Sequence, residues 1–287
     1  MGLVLKLKDV TKRFRGFTLD TVSFGFPAGY IMGLVGPNGS GKTTIIKLIM
    51  NLLTADGGEI ELFGLNSIEH ELEVKQKIGF VYDESPFFED LTMRDMTRII
   101  SPFYKNWDQN IYRDYMKRFN LLDNQKIKTL SKGMKMKYAL VVALSHDAEL
   151  LILDEPTSGL DPLIRNELLD ILSEVIQDGN CSILFSTHIT SDLDRLADYV
   201  TLINGGDLVF SKSREDLQQD YALISGESSL LGTELRTHLV GYKENQFGFE
   251  GLVRQKHELR VLMADKAVLS TPTIEDIMVY KLGGKRR

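Results

Sequence analysis

Nine residues constrain this chain more than any others: residues 36–44 read GPNGSGKTT. They satisfy G-x-x-x-x-G-K-[ST] between an apolar run at 30–35 and a helix-like pattern at 42–51. A strand, a glycine-rich turn and a helix in that order make a phosphate cradle. Gly36, Gly39 and Gly41 let the backbone wrap closely round an anion with its N–H groups turned inward. Pro37, Asn38, Ser40 and Thr44 complete the loop. A helix starting at Lys42 points its positive end at the same place. Lys42 adds a full charge for the β- and γ-phosphates, and Thr43 offers a hydroxyl to Mg²⁺.

The rest of the pattern fits a sheet that holds such a loop at its edge. Strand-like runs occur at 3–8, 30–35, 78–82, 150–153, 182–185 and 199–203. Several are continuously apolar, as in a parallel sheet covered on both faces. Helical patterns lie between them, at 92–104, 108–119, 131–145 and 163–177. Thr92 with Asp95, Asp108, Ser131 and Asp161-Pro162 supply start signals. Strands alternating with helices predict an α/β core. The helices from 92 to 145 follow one another without a strand, which predicts an all-helical insertion at about 85–145. Gly205-Gly206 reads as a tight turn between two late strands. These elements define a first unit, residues 1–215. Residues 216–287 read as a small α/β appendage, with apolar runs at 221–225 and 259–263 and a final T-x-x-D helix start at Thr273.

The chain has 287 residues, 34 cationic and 40 anionic, for a net charge of -6. An acidic surface repels nucleic acid, so no such partner is expected. Cys181 is the one cysteine, which excludes an intramolecular disulfide and suits a reducing compartment. The five histidines and Cys181 form no zinc-ligand spacing. The opening MGLVLKLKDV alternates like a strand, unlike a signal peptide. No apolar stretch reaches the roughly 18 residues of a membrane span. A cytoplasmic protein is expected, and any pore it serves must come from another polypeptide. The cations among the last seven residues read as a solvated end.

Residues 149–158, ELLILDEPTS, put Asp154 and Glu155 at the carboxyl end of an apolar strand, where ligands of parallel sheets bind. Asp154 is placed to hold Mg²⁺. Glu155 is placed to orient or deprotonate an attacking water. Ser186-Thr187-His188 ends a later strand, and a neutral His188 there can donate to a γ-phosphate oxygen.

Residues 130–137, LSKGMKMK, resemble the signature loop of ABC ATPases. The order GPNGSGKTT, LSKGM, LLILDEP, SGLD, STH resembles that family over about residues 1–215. The resemblance implies a P-loop NTPase core with a helical subdomain, plus an antiparallel β region of N-terminal and late strands. It implies a subunit that binds and hydrolyses ATP with Mg²⁺. Ser131 and Gly133 would cap the γ-phosphate held by a second ATPase subunit, in a homodimer or a heterodimer. Asp161 would signal between the two sites. Phe14, in TKRFRG, stands where the family stacks an aromatic ring on adenine, although an ordinary loop phenylalanine fits as well. The partner would be a membrane permease on a separate polypeptide, with this subunit peripheral on the membrane's inner face.

Two departures stand out. The signature carries Lys132 and Met134 where Gly and Gln are usual. Residues 78–84, IGFVYDE, place Asp83 where the family has a metal-facing Gln, with Glu84 as the other candidate replacement. The end TPTIEDIMVYKLGG is similar to ATPases of bacterial exporters for drugs, lantibiotics and amphipathic peptides such as the phenol-soluble modulins. An importer ATPase would share every motif. A soluble ABC protein of DNA repair would need a long coiled coil, and the roughly 110 residues between Thr44 and Asp154 hold no long heptads. Phe87-Phe88 follow Pro86, and at least one ring is expected to be exposed as a docking point for the permease.

Overall fold

The computed structural model describes residues 2–83, 85–177, 179, 181–254 and 267–283. Glu84 and the apolar run at 259–263 therefore lie outside the described residues. Along the chain, β1 (Leu3–Phe14) and β2 (Phe17–Pro27) form a hairpin, and β3 (Ile31–Val35) leads into α1 (Lys42–Ile49). Then come β4 (Gly57–Leu62), β5 (Leu65–Asn66), α2 (Glu71–Gln76) and β6 (Ile78–Val81). The helical insertion holds α3 (Met93–Ile100), α4 (Gln109–Arg118) and α5 (Lys132–Leu144). The core resumes with β7 (Leu150–Asp154), α6 (Pro162–Gln177), β8 (Ser182–Thr187), α7 (Thr190–Leu196), β9 (Tyr199–Asn204) and β10 (Asp207–Ser213). The final region holds α8 (Arg214–Asp220), β11 (Tyr221–Gly226), α9 (Thr233–His238), β12 (Leu239–Asn245), β13 (Gly248–Arg254), β14 (Ala267–Ser270) and α10 (Ile274–Gly283).

The central sheet runs β10-β9-β3-β8-β7-β6. Its neighbours from β9 to β6 are parallel, and β10 closes the edge antiparallel after the Gly205-Gly206 turn. Every residue of β3, β7 and β8 is buried. Alternate residues serve opposite faces. Leu151, Leu153, Ile183 and Phe185 join the apolar cluster under α5, α6, α7 and α10. Leu150, Ile152 and Leu184 join the cluster with α1 and the N-terminal strands.

The start signals act as read. Ser131 Oγ accepts from Met134 N, Asp108 from Asn110 N and Ile111 N, and Thr92 from Asp95 N. Each cap is worth about 1 kcal/mol. The helix expected over 92–104 stops at Ile100 and continues as a single 3-10 turn, Ser101–Phe103. Pro102 lacks the N–H that a longer α-helix needs.

One expectation is corrected. The antiparallel sheet runs β2-β1-β4-β5, so its N-terminal strands pair with residues 57–66 and not with late strands. In β4 the apolar residues alternate, with Ile60 and Leu62 buried, which suits a sheet covered on one face. The inner residues of β9, Val200 to Ile203, are all buried, so that strand belongs in the core.

The final region forms a third sheet, β12-β13-β11-β14, around Ala222, Ile224, Phe249 and Val253. It is joined to the core: Tyr221, Leu252, Ile274, Ile277 and Tyr280 share the large cluster with Leu193 and Leu196.

Candidate nucleotide site

The phosphate loop turns sharply out of β3. Gly39 and Gly41 take left-handed φ values of 76° and 114°. At Gly36 a Cβ atom would lie 2.1 Å from the Ile203 carbonyl oxygen, so the loop passes too close to β9 for any side chain there. The Lys42 side chain is buried and folds back over the loop. Its Nζ donates to Gly36 O at 2.9 Å and Pro37 O at 3.4 Å, and lies 3.3 Å from Glu155 Oε1. Ser40 Oγ is buried in the same loop with no hydrogen-bond partner among the described residues. An orphaned hydroxyl beside a buried ammonium fits an anionic, acceptor-rich ligand such as a phosphate chain.

Asp154 and Glu155 leave the end of β7 in opposite roles. Asp154 Oδ1 accepts from Ser186 Oγ at 2.6 Å and from Thr43 Oγ1 at 3.3 Å. Burial raises its pKa above the usual carboxylate range, those two hydroxyls pull it back, and the charges of Glu155 and Asp83 raise it again. The buried Asp154 carboxylate with the Thr43 hydroxyl beside it is an oxygen-donor pair that fits a hard divalent cation, whose charge would offset the neighbouring acids. Among the described residues no group of three or more His, Cys, Asp or Glu is arranged to hold a metal alone. Any Mg²⁺ here would draw other ligands from phosphate and water.

Glu155 has φ 49°, a left-handed conformation that costs a non-glycine residue on the order of 1 kcal/mol. The turn is held by its N–H, which donates to Ser186 O at 3.2 Å and Ser186 Oγ at 3.0 Å. The strain aims the carboxylate back across the cleft. There Oε1 meets Lys42, while Oε2 accepts from His188 N at 3.3 Å and pairs with His188 Nδ1 at 2.8 Å. Lys42, Glu155 and His188 thus form one chain of contacts.

Phe14 ends β1, and its ring is 42% exposed at the mouth of the cleft. Its centroid lies 6.2 Å from that of Phe17, with Lys12 Nζ 5.8 Å from the Phe14 centroid. The cleft has a volume of about 680 Å³ and brings together Phe14, Asn38 to Thr44, Asp83, Glu155 and His188. It also takes in Phe17 and Ser158, which the sequence reading did not select. Phe17 pairs with Phe14 across the turn. The short Arg15-Gly16 link between two aromatic residues was the available signal. Ser186, which ties Asp154 to the Glu155 turn, was likewise read only as part of a motif.

Ser131, Gly133 and Asp161 do not line this cleft. Ser131 is exposed and caps α5. Gly133 sits against α6, where a Cβ would come 2.9 Å from Ile164 Cγ2. Asp161 is exposed, and its Oδ1 accepts from Leu163 N and Ile164 N at 3.1 Å. Gly133 is buried and meets α6 at Ile164, whose N–H the Asp161 side chain caps, so the starts of α5 and α6 are neighbours. Lys132 links the start of α5 to the cleft by donating to Asp83 Oδ1 at 2.9 Å.

The family model described as ABC transporter matches residues 19–158. The chain is 28% identical to the bacitracin transport ATP-binding protein of Bacillus licheniformis, over 99% of each chain. It is 31% identical to the lantibiotic transport ATP-binding protein of Streptococcus pyogenes, over 73% of this chain and 90% of the relative. Among solved structures, an ATP-binding subunit of an ABC transporter superposes with a TM-score of 0.68 at 26% identity, covering 75% of this chain and 92% of the other. A dimeric ATP-binding cassette bound to ADP and Pi shares the fold, with a TM-score of 0.65 at 21% identity over 73% of this chain and 98% of that one. With motif order, cleft geometry and relatives in agreement, this chain belongs to the ATP-binding subunits of ABC transporters.

Proposed function

We propose that this subunit hydrolyses Mg·ATP and so drives a separate membrane permease that exports drugs or amphipathic, antimicrobial peptides. The cargo class rests on the relatives, whose names carry bacitracin and lantibiotic transport. Hydrolysis rests on one observation: the Glu155 carboxylate lies between Lys42 Nζ and His188 Nδ1 inside the cleft.

The chemistry follows from those positions. Phosphate oxygens compete for Lys42 with the Gly36 and Pro37 carbonyls and with Glu155. That competition frees the Glu155 carboxylate to accept a proton from water as the water oxygen bonds to the γ-phosphorus. The bond to the bridging oxygen breaks, and ADP carries away the electron pair. His188 donates to the γ-phosphate as charge builds there. Bound Mg²⁺, held by Thr43 and Asp154, would neutralise phosphate charge. Asp83 is a further candidate ligand, in competition with its pairing to Lys132. The Phe14 ring is available to stack on adenine, with Phe17 beside it.

Ser131 and Gly133 serve the γ-phosphate site of a second subunit, whether a copy of this chain or a homologue, and Asp161 signals between the two sites. Ser131 sits at the positive end of α5, a ready anion-facing group. ATP would thus join two subunits, and hydrolysis would release them. Among the described residues no helix is long and apolar enough to cross a membrane, so the pore is assigned to the permease. The subunit then sits at the inner membrane face through that partner.

Replacing Glu155 with Gln tests the reading. ATP binding should persist while phosphate release falls by about 10²–10⁴-fold, the range for losing a general base. The variant should accumulate as an ATP-dependent dimer in size-exclusion chromatography. Normal turnover by this variant would remove Glu155 from the chemistry.

A further inference from the structure

Helix α7 begins two residues after His188 and has only seven residues. A helix this short has little stability of its own, so its neighbours decide where it sits. The core grips it through Asp192, which is fully buried. Asp192 Oδ2 accepts from Thr157 Oγ1 at 2.6 Å, and its Oδ1 accepts from Arg165 Nε at 2.7 Å. Leu193 of the same helix packs so tightly on β3 that a Cβ at Gly33 would lie 2.1 Å from its Cδ2.

The second grip comes from the far end of the chain. Thr190 Oγ1, at the first residue of α7, donates to Glu275 Oε2 at 3.1 Å. The Ile274 N–H, at the start of α10, donates to Asp194 Oδ1 at 3.0 Å. Ile274, Ile277 and Tyr280 of α10 are buried in one cluster with Leu193 and Leu196 of α7. The start of α10 is itself fixed. Thr273 N donates to Asp276 Oδ2 at 2.8 Å, and Asp276 N donates to Thr273 Oγ1 at 3.1 Å, a reciprocal cap. At its other end Tyr280 Oη donates to Glu250 Oε1 at 2.8 Å, which fastens the helix to the third sheet.

We infer that α10 positions the catalytic histidine segment: the Thr190–Glu275 and Asp194–Ile274 contacts hold α7, and α7 holds the His188 loop against Glu155. Helix α10 thereby sets the rate of hydrolysis without lining the cleft. Thr190 and Glu275 are positioning residues. The inference rests on the proposed roles of Glu155 and His188. It assigns a use to a region whose described residues do not line the cleft.

The test compares Thr190→Val and Glu275→Ala with Thr190→Ser and Glu275→Gln in the full chain. The first two variants remove a hydrogen-bonding partner; the last two keep one. Thr190→Val and Glu275→Ala should each lower kcat about tenfold, since a loss of positioning under 1 Å suffices for that. ATP affinity by calorimetry should stay within about twofold of the parent, because the phosphate loop is untouched. Thr190→Ser and Glu275→Gln should retain parent turnover. The double variant should lose no more than either single one, as expected of two groups in one contact. Amide hydrogen exchange over residues 186–192 should quicken in Glu275→Ala. Parent kcat in both Thr190→Val and Glu275→Ala overturns the inference. So does a parallel fall of kcat, ATP affinity and melting temperature, which marks a merely structural contact. If Thr190→Val fails to fold, Glu275→Ala, altered at an exposed side chain, decides alone. Glu155→Gln and His188→Ala run alongside. Full activity in those two refutes the proposed chemistry, whereas their inactivity beside a fully active Glu275→Ala refutes only the role of α10.

Discussion

The two sides of the nucleotide cleft are built on opposite terms. On the core side the chemical groups are partnered within the chain. Lys42 has two carbonyls and Glu155, Asp154 has Thr43 and Ser186, and Glu155 has His188. The helical insertion turns its distinctive groups outward. Ser131 is exposed and serves only its own helix cap, and Phe88, Phe103 and Leu122 are exposed apolar side chains on the same insertion. Buried, mutually satisfied groups can act within one subunit. Exposed ones at a helix start or on an apolar surface act only when another body covers them. Under the proposed chemistry the core side is the chemical half of the site, and the insertion is its contact half.

The largest expected effect breaks the core side. Lys42→Ala leaves the loop its backbone donors but removes its point charge and strands Glu155. Hydrogen bonds to charged groups contribute about 1.5–3 kcal/mol each, so ATP affinity by calorimetry should fall about a hundredfold or more. Unchanged affinity would mean that the loop is not the phosphate site.

The next effect breaks the insertion side, and it should appear in the opposite subunit. One mixed dimer carries Ser131→Arg in one subunit and Lys42→Ala in the other, which places both lesions at one shared site and leaves the other whole. A second mixed dimer carries both changes in one subunit, which damages both sites. The first should retain one ATP per dimer and the second none. Retention by the second dimer and not by the first would place Ser131 in service of its own subunit's nucleotide, and equal retention would leave the shared site without support.

This contrast decided what could be read beforehand. The core side was legible because its chemistry is compressed into short runs next to strands: GPNGSGKTT after β3, Asp154-Glu155 after β7, His188 after β8. Continuous apolar strands such as LLIL leave little choice of fold. The antiparallel sheet was only half legible. In β2 buried Leu19, Val22, Phe24 and Phe26 are spread among polar residues, and bulges shift its register against β1. Strand β4 opens on Gly57-Gly58, which reads as a turn. The partner strands of β1 were misjudged for that reason. In the final region no motif marked the hold of α10 on α7. Thr190 and Glu275 lie 85 residues apart, and a contact at that separation leaves no local pattern. The same holds for Lys132 and Asp83, which the sequence showed as two separate oddities.

A smaller effect concerns the outward surface of the insertion. Phe87 is buried against Tyr138, with centroids 4.7 Å apart, whereas Phe88 is 65% exposed. Phe87→Ala should destabilise the subunit by about 3–5 kcal/mol, the usual cost of emptying an aromatic core site. Phe88→Ala should leave stability and basal ATP hydrolysis near parent values. If Phe88 docks a cytoplasmic segment of the permease, the variant should lose co-purification with it, or its stimulation of hydrolysis. Normal assembly and stimulation would turn attention from Phe88 to the other exposed apolar side chains of the insertion.

The smallest effect sits where the two halves meet. Asp83 lines the cleft with Glu155, close enough to Asp154 to raise its pKa. A third carboxylate facing a polyanionic ligand is unfavourable unless a cation offsets it. Lys132 supplies that cation from the first turn of α5, at 2.9 Å from Asp83 Oδ1. Both side chains are partly exposed, so the pair adds at most about 1 kcal/mol to stability. Its consequence should lie in binding. Lys132→Met should weaken ATP affinity about three- to fivefold at low salt, and less at higher ionic strength, where screening shortens the reach of the exposed charge. Asp83→Asn removes the repulsion itself, so the Lys132→Met/Asp83→Asn double variant should bind ATP like the parent. If both Lys132 variants weaken binding equally, Lys132 acts on the nucleotide directly and not through Asp83. That outcome would move a residue of the contact half into the chemical half and erase the division between them at this point.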